Sequence, residues 1–288
     1  MSRTIECAGH PRDMGFAQGR ALAEAIRAEV ARAGLATRRS RFPSLRPVVS
    51  GPLRGRGAGR ELFRHFAHQA ERLEGLAQAA GLPLDSLLAL QLRMRAAAAT
   101  VLVVRESRPV VGFRSLELGC AWLVPALAGV NAAGLAVVAD WPATGRAEDA
   151  ASRGGDRGRD PHEGDAPPLL LVQDCLARFE NVAGALDWCR KRPVEGELVL
   201  RFGDASGAQA RVVVSGRERR AERIDAAGTD AEPWLEGTFG EDARTGFGCR
   251  VRLEPRARRL RVEGPALGQD GAPFDGALPP HADPPHTE

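Results

Sequence analysis

Apolar positions recur with a helical period over residues 11–33, "PRDMGFAQGRALAEAIRAEVARA", where Ala17, Leu22, Ala25, Ile26 and Val30 form an approximate stripe. Asp13 follows Pro11 and is placed to cap this helix. Gly15 and Gly19 stand four apart on one face. They predict either the close approach of another backbone or a frayed first turn. A second helix is predicted over 59–80, ending at Gly81 with Pro83 beyond it. A third opens at "LDSLLALQLRM", with Asp85 as its cap.

From residue 100 the period changes. "TVLVV" and "PVVGF" are β-rich runs flanking the polar "RESR", which predicts that 100–104 and 110–114 pair as a hairpin. "AGVNAAGLAVVADW" places Asn131 and Gly134 in a turn between apolar runs. Residues 143–168 are rich in Gly, Asp, Arg and Pro without periodicity, and read as a flexible insertion. Two helices follow, in "LLLVQDCLARF" and in "NVAGALDWCRKR", the second capped by Asn181. Two more hairpins turn at "GDASG" and near Glu254–Pro255. The proline-rich stretch 266–288 reads as a disordered tail, leaving a single domain over 1–265. Antiparallel hairpins covered by paired helices predict a layered α+β protein with helices on its outer faces.

Composition narrows this only slightly. The chain has 288 residues, 43% hydrophobic and 27% charged, with a net charge of +3. Lys191 is its one lysine. No apolar run reaches membrane-span length, and the first residues lack the apolar core of a signal peptide, so the expectation is a cytoplasmic protein without membrane association. The basic stretch 38–60 has no aromatic ladder or nucleic-acid motif, so no nucleic-acid partner is expected. Cys7, Cys120, Cys175, Cys189 and Cys249 are scattered without a C-x-x-C pair and read as buried thiols. The histidines form no H-x-x-x-H pair, and His65 and His68 read as packing residues of the second helix. Neither a metal nor a cofactor is expected, and no dinucleotide, P-loop or G-x-S-x-G motif is present.

Several segments occur together in order: "GHPRDMGFAQG", "LEGLAQAAGLPLDSLLALQ", "GVNAAGLAVV", "PPLLLVQDCLARFENVAGALDW", "FGDASGAQARVV" and "TGFGCRVRLEPRARRLRV". In this order the chain resembles the acyl-coenzyme A:6-aminopenicillanic acid acyltransferase family of N-terminal-nucleophile hydrolases. The resemblance implies a four-layer αββα sandwich and a precursor that cleaves itself before a Gly-Cys-Thr cysteine. That cysteine then attacks an amide or thioester, with its own α-amino group as base. It also implies an oxyanion or substrate donor at Asn131, and an Arg-x-x-Asp pair at Arg114 and Glu117, with Glu in place of Asp.

By the same resemblance the nucleophile falls at Ala98 or Ala99, just before Thr100, where this chain reads Ala-Ala-Thr. Alanine supplies no attacking atom. The expectation is therefore a catalytically degenerate relative whose residual pocket takes a small amide or acyl compound. Two alternatives stand beside it: an active amidase or acyltransferase using Cys120 or Thr100, and a non-enzymatic interaction scaffold. The resemblance implies that Arg114, Glu117 and Asn131 converge near Ala98–Thr100.

Overall fold

A computed structural model describes residues 4–35, 60–92, 102–140, 166–224, 235–242, 247–264 and 273–280. The chain opens with strand β1 (Ile5–Gly9) and helix α1 (Pro11–Arg32). Pro11 takes the first helical position, where its missing N–H costs nothing. The N-cap is His10 rather than Asp13; Asp13 sits three residues inside, and its carboxylate accepts from the His10 N–H at 3.3 Å. The predicted second helix is two: α2 over 60–65, and α3 (Ala67–Ala80). They part at Phe66, whose non-helical backbone accompanies complete burial of its ring. Gly81 ends α3 in the left-handed conformation, φ 65°, as the sequence requires. Helix α4 (Leu84–Gln91) starts from Pro83, with Asp85 in its first turn beside the positive end of the helix dipole rather than at the cap.

Helices α1 and α3 meet backbone to backbone. A Cβ on Gly15 would lie 1.8 Å from the Arg72 carbonyl oxygen, and one on Gly75 would lie 2.0 Å from that of Arg12. Of the two readings of the Gly15–Gly19 spacing, close approach is the observed one.

An eight-stranded sheet runs β1, β2 (Leu102–Pro109), β3 (Ser115–Cys120), β4 (Ala128–Asn131), β5 (Ala136–Asp140), β6 (Gly196–Gly203), β7 (Gln209–Gly216) and β8 (Glu218–Ile224), in that spatial order. The β1–β2 pairing is parallel and all the others are antiparallel. Helices α5 (Leu170–Arg178) and α6 (Val182–Lys191) lie between β5 and β6 in the chain, and Asn181 caps α6 by accepting from the Gly184 N–H. A four-stranded antiparallel sheet follows: β9 (Leu235–Asp242), β10 (Phe247–Glu254), β11 (Arg259–Glu263) and β12 (Phe274–Ala277).

Three expectations change. The first concerns the hairpin. Strand β2 continues through Arg105–Arg108 to Pro109, and the turn is 110–114, so Leu102 pairs with Cys120 and Ser107 with Ser115. The polar tetrad does not break the strand because Arg105 and Ser107 find buried polar partners. The apolar "VV" is the loop instead, with Val110 62% and Val111 86% exposed, and Gly112 at φ 107° turns the chain.

The second concerns the layers. The described helices cover one face of the eight-stranded sheet, and the four-stranded sheet packs on the other through β3–β6. Among the described residues this makes three layers, αββ, and not the expected αββα. On β10 and β11, Val251, Leu253, Leu260 and Val262 are buried, while the alternating Arg250, Arg252, Arg259, Arg261 and Glu263 point the other way, and among the described residues no helix covers that charged face.

The third concerns the tail. Residues 274–277 form β12, an edge strand on β11, because Asp275 reaches Arg259 with two hydrogen bonds of 2.5 and 2.6 Å. Of the predicted insertion, only 166–168 is described; Ala166 bridges Val194 in parallel, and 143–165 lie outside the described residues.

Candidate functional site

Alternation along β2 and β3 aims Arg105, Ser107, Ser115 and Glu117 at the helices. Arg105 and Glu117 have no solvent exposure. Arg105 Nε donates to Glu117 Oε2 at 2.5 Å, and its two terminal nitrogens donate to Gln18 Oε1, Gln173 Oε1 and the carbonyls of Leu123 and Val124. Every nitrogen of the guanidinium is engaged. Glu117 Oε1 accepts from Ser115 Oγ at 2.6 Å and from Gln173 Nε2 at 2.8 Å. Gln18 Nε2 donates to the carbonyls of Ala121 and Leu123. Thus α1 and α5 are pinned to the sheet, and to the 121–124 loop, through one ion pair.

Arg72, from α3, joins this centre less completely. Its Nη2 lies 3.4 Å from Ser107 Oγ and 4.0 Å from Glu117 Oε2, and its Nε has no hydrogen-bond partner. Burial pushes the Glu117 carboxyl up, but Arg105, Arg72 and the hydrogen bonds from Gln173 and Ser115 outweigh it and hold the group down at about 2. Burial pulls Arg72 down, and the neighbouring Arg105 adds to that. The Cys7 thiol, from β1, is raised by burial against the pull of Arg72 and Arg105. Glu117 is therefore held as a hydrogen-bonded anion at neutral pH, placed to organise structure.

The predicted Arg114–Glu117 pair is not formed, although the Ala132 N–H donates to the Arg114 carbonyl at 2.8 Å and so sets Arg114 beside Asn131. Ala98, Ala99 and Thr100 lie outside the described residues. Arg114 does not pair with Glu117: its partner is Glu106, on the opposite face of β2, where Arg108 also binds. Asn131 is wholly buried, with its side chain fully used. Its Nδ2 donates to the carbonyls of Leu176 (2.9 Å) and Phe179 (2.8 Å), and its Oδ1 accepts from the N–H groups of Ala133 and Leu135. It shapes the β4–β5 turn and ties it to the end of α5. Asn131 pairs with Ser115, whereas Leu102, the first described residue after Thr100, pairs with Cys120 at the other end of β3.

Cys120 points into the interface between the sheets, and burial pushes its thiol up to about 12. All five cysteines are buried free thiols, as the sequence predicts. A thiol held that high carries almost no thiolate at neutral pH. No group of three or more potential metal ligands occurs among the described residues. None of their helices is long and apolar enough to cross a membrane.

Sequence reasoning missed Arg105, Arg72, Gln18 and Gln173. The signal for the first was present: Arg105 and Ser107 share parity with Val103 in a strand whose apolar residues must face a core. The others sit on helices, where a single polar residue on a buried face leaves no trace in the periodicity.

Beside this centre, a narrow apolar cleft opens between α2, α3, α4 and the 124–125 loop, lined by Leu62, Leu73, Leu88, Val124 and Leu170. Gln69 and Gln91 are its polar members. Gln91 is saturated: its Nε2 donates to the Trp122 carbonyl and its Oε1 accepts from the Val124 N–H. Gln69 is not. Its Nε2 donates to the Leu170 carbonyl at 2.8 Å and to Asp174 Oδ1 at 3.0 Å, which leaves the buried Oε1 without a partner. Asp174 Oδ2 accepts from Trp188 Nε1 at 2.9 Å, and His68 Nε2 lies 2.7 Å from Oδ1.

Neither a family model nor a curated protein matches the chain. Among solved structures it is similar to penicillin V acylase from Agrobacterium tumefaciens, with 12% identity, a TM-score of 0.36, and coverage of 58% of this chain and 70% of that one. It is also similar to two variant structures of conjugated bile acid hydrolase from Clostridium perfringens. One has 8% identity and a TM-score of 0.35, with coverage of 57% of this chain; the other has 9% and 0.36, with coverage of 58%. Both alignments cover 77% of the hydrolase. Likenesses this distant assign neither an activity nor a fold family to this chain.

Proposed function

We propose that this chain is a catalytically degenerate protein of the N-terminal-nucleophile acylase class, uncleaved, whose cleft holds a small amide or acyl compound. One observation carries the reading: the side chains that the family resemblance assigns to catalysis are committed elsewhere. Glu117 is closed by Arg105, Arg114 is paired with Glu106, and Asn131 is saturated by main-chain groups. The buried, raised thiol of Cys120 also weighs against its use as a replacement nucleophile. Among the side chains lining the apolar cleft, Gln69 carries the unsatisfied polar atom, the acceptor Oε1. An unmatched buried carbonyl gains most from a donor brought in by a ligand, so Gln69 Oε1 would take an N–H, and the narrow cleft would have to widen to admit the acyl part.

The test has two parts. Intact-mass measurement of purified protein should give one full-length species, and a panel of N-acyl amides should pass through unhydrolysed. At least one N-acyl amide should raise the thermal midpoint, and Gln69→Leu should abolish that rise. Two self-cleavage fragments, or turnover of any panel member, would overturn the degenerate assignment. An unshifted midpoint throughout the panel would remove the ligand.

A further inference from the structure

Cys175 on α5 and Cys189 on α6 are both wholly buried, and their sulfurs are 3.7 Å apart. This is the one thiol–thiol hydrogen-bond contact among the described residues. The neighbouring pair, Asp174 and Trp188, is joined by a 2.9 Å hydrogen bond, and the Phe179 and Trp188 rings pack with centroids 5.5 Å apart. The two helices are thus held together at the level of the two thiols. A disulfide needs a sulfur separation of about 2.05 Å, so the pair must close by about 1.7 Å.

We propose that Cys175 and Cys189 are an oxidant-dependent disulfide site that ties α5 to α6. With hydrogen peroxide, one thiol is oxidised to a sulfenic acid and a water is released. The second sulfur then attacks the first, forming the S–S bond, and the sulfenic hydroxyl leaves with a proton as the second water. Two thiols and one peroxide give one disulfide and two waters. Burial, reinforced by Cys189, raises the Cys175 thiol well above its usual range, which slows the reaction of the closed pair with an oxidant.

The cross-link has a structural consequence. Helix α5 supplies Gln173 to Glu117, and its carboxyl end supplies the Leu176 and Phe179 carbonyls to Asn131. Fixing α5 against α6 holds both contacts in place.

The experiment uses the full chain under native conditions, treated with hydrogen peroxide, then denatured, alkylated and mapped by mass spectrometry. The expected product lacks two hydrogens, links the peptides containing Cys175 and Cys189, and leaves Cys7, Cys120 and Cys249 alkylated. Its thermal midpoint rises on oxidation, and that of Cys189→Ser or Cys175→Ala does not. Complete alkylation of both residues after treatment, a link between Cys120 and Cys249 instead, or an unchanged wild-type midpoint overturns the proposal. The wild-type map alone decides it should both variants fail to fold.

Discussion

Glu106 and Glu117 occupy opposite faces of the same strand pair, and each is paired with arginine. Glu106 looks outward, where its side chain is 15% exposed, and it is shared by Arg108 and Arg114, themselves 42% and 35% exposed. Glu117 looks inward and meets Arg105, neither with any exposure. On the Glu106 face, Leu102, Val104, Leu116 and Leu118 bury the rest, but at the exposed end, around Glu106, water replaces whatever a mutation removes. On the dry face nothing can, so each charge depends on its partner and the whole hydrogen-bonded set becomes obligatory. The same two residue types therefore make a dispensable contact on one side of β2–β3 and an organising one on the other.

The hardest blow to this contrast is Arg105→Met. It leaves Glu117 charged and unpaired and strips donors from the Leu123 and Val124 carbonyls. Breaking one partner of a buried pair costs about 3–5 kcal/mol, so urea unfolding should show a loss of that size. A loss below about 1 kcal/mol would mean that water reaches the face. The next probe is pH. Glu117 is held at about 2 when folded, against about 4.3 for an ordinary glutamate. Its contribution is fully present above about pH 4.3 and is lost as pH falls through about 2; the shift corresponds to on the order of 3 kcal/mol. Glu117→Gln should therefore be less stable at neutral pH, with a flatter stability curve across that acid window, as followed by circular dichroism. Wild-type-like acid sensitivity in the variant would assign the transition to another group. The smallest effect belongs to Arg114→Ala, which should cost less than about 1 kcal/mol, and the difference should shrink further at high salt. A larger, salt-resistant loss would place Arg114 in a buried role.

How much of this could be read from the sequence depends on how local each feature is. The α1–α3 contact was half legible: two glycines four apart on a helix fit either a neighbouring backbone or a frayed turn, and the reciprocal contact at Gly75 decides for the former. The Asn131–Gly134 turn was legible because Asn bonds its own following main chain, here the N–H groups of Ala133 and Leu135. The candidate site was hardly legible. Arg114 and Glu117 are three apart and look like partners on paper, yet one lies just outside β3 and the other is bonded across the ladder to β2. The charged alternation of β10–β11 was present in the sequence, but only the pairing of the two strands shows that these charges share one outer side.

By itself the sequence determined the local elements: α1, α3, α5 and α6, the capping of α6 by Asn181, the β6–β7 and β10–β11 hairpins, and the burial of all five thiols. These follow from short-range periodicity, caps and turn residues, which act within a few positions of the chain. Only the tertiary structure decided the β2–β3 register, the choice of Arg105 over Arg114 as the partner of Glu117, the edge strand β12, and the αββ layering. A slip of one residue sends every side chain of a strand to the other face, and the run "TVLVV" at the start of the strand is apolar on both faces. The β2–β3 register was fixed by what a buried arginine could reach across the sheet and from α1 and α5, contacts up to 87 residues apart in the chain.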